Sequence, residues 1–466
     1  MRLFRLKRNV WKYLIFQFFI INFLFSPTFS NGVYAADVAR CEIDTPLIDQ
    51  HATLGFNRDA ELIPSLGSPK ILSVAIDFAD TKMETKPNLV ISNIVNLETV
   101  ENFYAYVSNG KFTPKFDIFP EVIRIPRESY KYGNSLNEDS YANGIRQSQR
   151  LLSDTAQQIN ENINLSEYSA IMVFVSQGNS FSGHVGLTYL EHKGFVISKN
   201  GEFHNLSLIG AGIAKNGPIY AARVVVHEVG HLMGLPDLYS YSENGYWQYN
   251  SPSIFSSMGS LQGSESDSLG WNKFILKWID ESEIECIVES NISKVLKLSN
   301  SREKQVGKYK LVIIKMSEFR VIVIESIPLK GFFSSSKLGG FLVYEVDSSR
   351  PTGAVPIRII SKSSELSDRK PSPSLPDWLR LAEAPLTSNT YLVYQGIRIE
   401  NFVDSKEGQV LRIYSGDSAK VAATNWKKSI NTQLKELICV RGKSVRIIKG
   451  ESAKCPRGYS IKSYSE

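Results

Sequence analysis

Residues 219–233 are rich in apolar side chains, yet they contain His227, Glu228 and His231. Val224, Val225, Val226, Val229, Leu232 and Met233 surround these three. Pro218 precedes the predicted helix and Gly234 follows it, the usual asymmetry of helix ends. A helix that is mostly hydrophobic is buried, and unpaired charge is expensive to bury. Two histidines and a glutamate here therefore need partners, and the fold must bring those partners to them.

The spacing says what the partner is. Histidines four residues apart share one helix face, so both imidazoles can reach one metal ion at about 2.0–2.1 Å. Glu228 stands beside the first ligand and can address an attacking water rather than the metal. Gly234 can take the left-handed conformation that ends a helix. The chain then turns back through Pro236 and carries Asp237 toward the metal. Two imidazoles and one carboxylate leave a fourth position, which is the pattern of a catalytic zinc site. One Zn2+ is expected on His227, His231 and Asp237, with Glu228 as general base and acid.

Residues 227–239 read His-Glu-Val-Gly-His-Leu-Met-Gly-Leu-Pro-Asp-Leu-Tyr. This resembles the metzincin signature, with Asp237 where those enzymes carry histidine. The aspartate form followed by Leu238-Tyr239 resembles the immune-inhibitor-A-like bacterial metallopeptidases; the shorter snapalysin-type proteases share the local pattern. Ile71 to Asp80 resembles the opening strand of the former family. Ser257-Met258-Gly259-Ser260 resembles its Met-containing turn, and Ser268-Leu269-Gly270-Trp271 its Leu-Gly-Trp segment. Ile324-Glu325 and Gly340 to Asp347 resemble its β-domain. The resemblance spans roughly residues 70 to 350 and is densest over 219–280. It implies a zincin-like, mixed α/β (α+β) catalytic domain followed by an all-β sandwich-like domain, hydrolysing protein or peptide substrates. Met258 is a packing residue in this reading. Tyr239 is either packed under the loop or a donor to the oxyanion.

Periodicity supports a mixed fold. Ile71–Phe78 and Ala170–Val175 read as strands and 143–163 as a helix, with a hairpin turning at Asn200-Gly201. From residue 294 the apolar runs are short and strand-like: 309–314, 321–324, 341–344, 391–394 and 410–413. Turn residues separate them, as in a β-sandwich. The expected boundaries are 1–35 for a signal peptide, 36–68 for an irregular extension, 69–285 for the catalytic domain, 286–416 for the β-domain and 417–466 for a basic tail.

The first 35 residues run from basic through apolar to small, ending Val33-Tyr34-Ala35, the order of a secretory signal. The apolar run Tyr13–Phe25 is shorter than the roughly 20 residues of a spanning helix. A secreted protein with no stable membrane span is expected. Arg2, Arg5, Lys7, Arg8 and Lys12 lie in this segment; 53 basic residues less these five leave 48 against 47 acidic ones. The basicity therefore belongs largely to this segment and is no argument for nucleic acid, which is not expected as a partner. Residues 439–462 remain locally basic, with seven Lys and Arg against Glu451, and such a patch can hold the chain on an anionic cell wall or envelope.

Four cysteines in an exported chain allow three pairings. Cys439–Cys455 closes a short hairpin, and Cys41–Cys286 follows by elimination. Alternatively, Cys41 caps the zinc in a latent precursor. His51, His184, His192 and His204 lack ligand spacing, and no EF-hand loop indicates Ca2+. Two other functions stand beside this one: a surface-binding adhesin on a protease scaffold, in which the β-domain does the work, and a zinc hydrolase of a non-peptide substrate, whose site would be the same.

Overall fold

The computed structural model describes residues 38–46, 52–56, 58–59, 61–83, 85–132, 141–159, 163–176, 186–189, 196–198, 201–203, 205–241, 251–252, 254–259, 267–301, 309–327, 331–333, 339–361, 384–404, 408–433, 436–441, 444–449, 457 and 460–461. The expected signal segment, Cys455, Ser260 and the histidines 51, 184, 192 and 204 lie outside them.

The chain is a mixed α/β protein with several sheets and few helices. Its first sheet is built on β1 (Lys70–Phe78). On one side β1 pairs in parallel with β2 (Lys115–Ile118) and, further along, with β3 (Ile123–Ile125). On its other side lies β4 (Ala170–Val175), also parallel. An antiparallel strand, β5 (Gly186–Tyr189), forms the far edge, and a small hairpin joins β6 (Val196–Ser198) to β7 (Gly201–Phe203). Between β4 and β5 sits β8 (Leu206–Gly210).

Successive residues of β1 go to opposite faces. Ile71 and Ala75 join the core that holds α1 (Pro87–Ile94) and α2 (Leu97–Val107). Leu72, Val74, Ile76 and Phe78 pack instead with Leu151, Leu152, Ala156 and Ile159 of α3 (Tyr141–Ile159). Both faces are covered at β1, β4 and β8, which is why these strands are near-continuous apolar runs. The helix with the two histidines is α4 (Pro218–Leu232), on the α1–α2 side.

A short helix, α5 (Gly270–Ile275), leads into the second half. There β9 (Ile284–Ile287), β10 (Ser293–Leu296), β11 (Leu311–Lys315), β12 (Arg320–Ile327), β13 (Gly340–Asp347), β14 (Ile357–Ile359), β15 (Thr390–Tyr394), β16 (Ile397–Asp404) and β17 (Gly408–Ser415) form two sheets. Their orders are β14-β13-β12-β11-β9 and β10-β17-β16-β15. Val312, Ile314, Ile322, Ile324 and Val343 of the first share a core with Leu392, Ile399, Leu411 and Ile413 of the second. The alternate residues Leu311, Ile313, Val321, Val323, Leu342 and Tyr344 belong to the core of α4 and α5. One continuous core thus runs through position 285.

Two features of the segments at either end differ from expectation. The described residues between 38 and 68 have little regular structure, as expected, but they are strapped to the end of α4. Thr53 N donates to Gly234 O at 3.0 Å and Ile63 N to Leu232 O at 3.1 Å, so helix-end carbonyls are satisfied from outside. Cys41 is disulfide-bonded to Cys286 and fully buried. That bond corrects the idea of Cys41 as a thiolate on the metal. Beyond 416 the chain first forms a helix, α6 (Gly416–Gln433), before the antiparallel hairpin of β18 (Glu436–Arg441) and β19 (Ser444–Lys449), which β20 (Ser460–Ile461) joins. No helix among the described residues is long and apolar enough to cross a membrane.

Candidate metal centre

Local chemistry starts and stops α4 where the sequence predicts. Gly217 sits at the N-cap with φ +92°, and Pro218 follows. At the other end Gly234 has φ +79°, Gly234 N donates to His231 O at 2.7 Å, and Leu235 N donates to Gly230 O at 3.1 Å. This left-handed turn reverses the chain and returns Asp237 to the face of the helix that carries His227 and His231.

The three side chains meet. His227 Nε2 lies 3.1 Å from His231 Nε2 and 2.9 Å from Asp237 Oδ1, and His231 Nε2 lies 3.4 Å from the same oxygen. His227 and Asp237 are buried. The second nitrogen of each ring fixes its tautomer. His227 Nδ1 lies 2.8 Å from Ser257 O and His231 Nδ1 lies 2.7 Å from Leu235 O. A carbonyl only accepts, so each Nδ1 carries a hydrogen and each Nε2 is the nitrogen left to take a proton or a metal ion. Asp237 Oδ1 is buried without a hydrogen-bond partner. Two ring nitrogens and a carboxylate oxygen thus converge on one point, where a divalent cation can take the place of a proton.

The electrostatics agree. Burial raises the Asp237 carboxyl, but His231 and His227 outweigh it and hold the group well below the usual carboxylate range. Burial opposes charge on His231, yet Asp237 drives its pKa up to about 9. The cluster favours positive charge, and protons and metal ions compete for the same lone pairs. His, His and carboxylate is a donor set suited to zinc.

Glu228 is buried on the same helix and points to different partners. Its Oε2 accepts from Thr188 Oγ1 at 2.7 Å, and that hydroxyl lies 2.6 Å from Ser207 Oγ. Burial pushes the Glu228 carboxyl up, against the pull of His231 and His227. A carboxylate with a raised pKa, held beside the His227–His231–Asp237 cluster rather than in it, suits proton transfer.

The remaining motif residues support this cluster from below. A Cβ on Gly230 would fall 2.3 Å from Met258 Sδ, so the methionine packs against the gap that the glycine leaves. Leu238 N donates to Met258 O at 2.9 Å. Gly270 N, at the start of α5, donates to the buried Glu325 Oε1 at 2.8 Å, and Tyr344 OH reaches the same oxygen at 2.9 Å. Tyr239 is half-buried, with its ring centroid 6.1 Å from that of His227. Burial and the nearby Asp237 raise its pKa, so it stays protonated.

The sequence reading missed Ser257 O, Leu235 O, Thr188 and Tyr241, whose hydroxyl donates to Asp237 Oδ2. A carbonyl leaves no trace in residue identity. Thr188 and Tyr241 are ordinary residues until the fold sets them beside Glu228 and Asp237. No protein-family model matches the chain, and comparison with curated proteins finds no match. The family resemblance therefore rests on the motif residues themselves.

Proposed function

We propose that this chain is a secreted zinc-dependent endopeptidase of the immune-inhibitor-A-like kind that its motifs resemble. One observation carries the reading: His227 Nε2, His231 Nε2 and Asp237 Oδ1 lie within 4.8 Å of one another, with the buried carboxylate of Glu228 on the same helix. A zinc ion held by these three supplies a Lewis acid for the scissile carbonyl and draws the pKa of a water toward neutrality.

The residues divide the remaining work. Ser257 O and Leu235 O hold both imidazoles in the tautomer that a metal requires. Glu228 takes the proton of the attacking water and passes it to the leaving amine. Thr188 orients the Glu228 carboxylate. Thr188 lies on β5, the edge of its sheet among the described residues, and an edge strand can bind an extended peptide through main-chain hydrogen bonds. The apolar run and small residues at 13–36 and the Cys41–Cys286 bond support export.

The test compares the processed protein with Glu228→Ala on a broad protein substrate, with zinc measured in both. About one zinc per chain in each, and proteolysis only in the parent, is the expected result. Zinc in neither would move the surface-binding reading to first place. Zinc in both with no cleavage of any peptide, but hydrolysis of another class of ester or amide, would favour the non-peptide hydrolase.

A further inference from the structure

Asp237 is the one proposed ligand that does not sit on α4, so its carboxylate must be aimed by something else. Its main chain is gripped by the loop between β13 and β14. Asp237 N donates to Thr352 Oγ1 at 2.9 Å, and Gly353 N donates to Asp237 O at 3.2 Å. Tyr241 N donates to Gly353 O at 3.0 Å, and Ser240 forms an antiparallel bridge with Ala354. The carboxylate is gripped by Tyr241, whose hydroxyl donates to Oδ2 and lies 3.4 Å from Thr352 Oγ1. That leaves Oδ1 facing the two histidine nitrogens.

The loop is braced for this task. Asp347, at the end of β13, accepts from Ser349 N at 3.1 Å and from Arg350 Nε at 3.3 Å. Arg350 Nη1 donates to Ala354 O at 3.3 Å. Gly353 has φ +71°, and a Cβ there would fall 2.2 Å from the Tyr241 ring, so the ring rests on bare backbone. Val355 takes φ +53°, a conformation that a β-branched residue adopts only where its surroundings over-determine it.

We propose that Tyr241 and Thr352 are positioning residues for the third metal ligand. They fix the rotation of the Asp237 carboxylate so that Oδ1 alone faces the ion, and they make the β13–β14 loop part of the metal centre. This rests on the metal-site reading above. A carboxylate bonded only at the ligating oxygen can swing about its own axis; a donor on the other oxygen removes that freedom.

The experiment measures zinc affinity of the full chain by competition with a chromophoric chelator, without reference to catalysis. Tyr241→Phe is expected to weaken binding by about 10–100-fold, as losing a partner of a metal ligand does. Thr352→Val weakens it too, and Thr352→Ser, which keeps the hydroxyl, restores it. The Co2+ absorption spectrum of Tyr241→Phe shifts from that of the parent. Equal zinc affinity and equal Co2+ spectra for parent, Tyr241→Phe and Thr352→Val would overturn the inference. A parent that binds no zinc overturns the metal-site reading and this inference with it, and that result is read on the parent alone.

Discussion

The imidazole of His227 is held from behind by Ser257: Nδ1 lies 2.8 Å from the carbonyl oxygen of a residue thirty positions further on. That carbonyl immediately precedes Met258, which sits beneath α4. The turn that packs the helix from below therefore also sets the rotation of His227, and substitutions that move the turn reach the proposed metal site.

Gly230 is the place to test that coupling. Gly230→Ala drives a methyl group into Met258 Sδ. Overpacking of this kind costs about 1–3 kcal/mol. Urea unfolding of the variant is expected to fall by that amount, and Met258→Ala in the same chain to recover part of it. A Gly230→Ala protein as stable as the parent would show that the methionine is not seated there.

Thr188→Val removes the hydroxyl that donates to Glu228. One hydrogen bond to a charged group is worth about 1.5–3 kcal/mol, so kcat/KM on a peptide substrate should fall about 10–100-fold. Zinc content should not change, because Thr188 touches none of the proposed ligands. Loss of zinc together with activity would contradict the role assigned here.

Metal removal separates site from fold. Dialysis against a chelator should abolish proteolysis and lower the thermal midpoint. An ion at a thousand times its Kd stabilises the native state by about 4 kcal/mol. The far-UV circular dichroism should persist, since the core of α4, α5 and β11–β13 is apolar. A midpoint indifferent to the chelator would argue against a bound metal.

Cys41→Ser or Cys286→Ser opens the only link between the N-terminal strap and β9 that is covalent among the described residues. Loss of such a bridge costs about 2–5 kcal/mol, readable as a lower denaturation midpoint. No gain of activity is expected, because Cys41 is bonded to Cys286 and is buried in the core. Activation on substitution of Cys41 would revive the latent-precursor reading.

Glu345 gives the pH dependence a defined acid limb. Burial raises its carboxyl, but Arg358 and Arg320 bond to it directly and hold it below the usual value. A carboxylate depressed in the folded state contributes stability above its unfolded pKa of about 4.3 and loses it as pH falls through the native value. Glu345→Gln should therefore be less stable near neutrality and show a flatter decline below about pH 5 in thermal denaturation. An acid limb identical to the parent's would assign that decline to other groups.

Much of the site was legible in one dimension because helix geometry is local. Four residues separate His227 from His231, so any helix sets both on one face, and a glycine three positions later ends it whatever the rest of the chain does. The strands at 71–78 and 170–175, the helix ending at Gly234 and the short strands after 309 announce themselves through period and turn residues for the same reason. Other elements carried weaker signals. The helices at 87–107 are short, and α6 at 416–433 is polar in sequence and mostly exposed over 416–425, so neither shows a long apolar period.

What the tertiary structure alone decided is who stands behind each proposed ligand. Ser257 O, Leu235 O, Tyr241 and Thr352 act through a carbonyl or a hydroxyl placed by distant backbone, and no periodicity marks them. The same holds for the β-sheet after residue 284. Sequence marks its strands as apolar, but only packing shows that one face belongs to the core of α4 and the other to the second sheet. Alternation says that a strand has two faces; which neighbour covers each face depends on long-range closure of the whole chain.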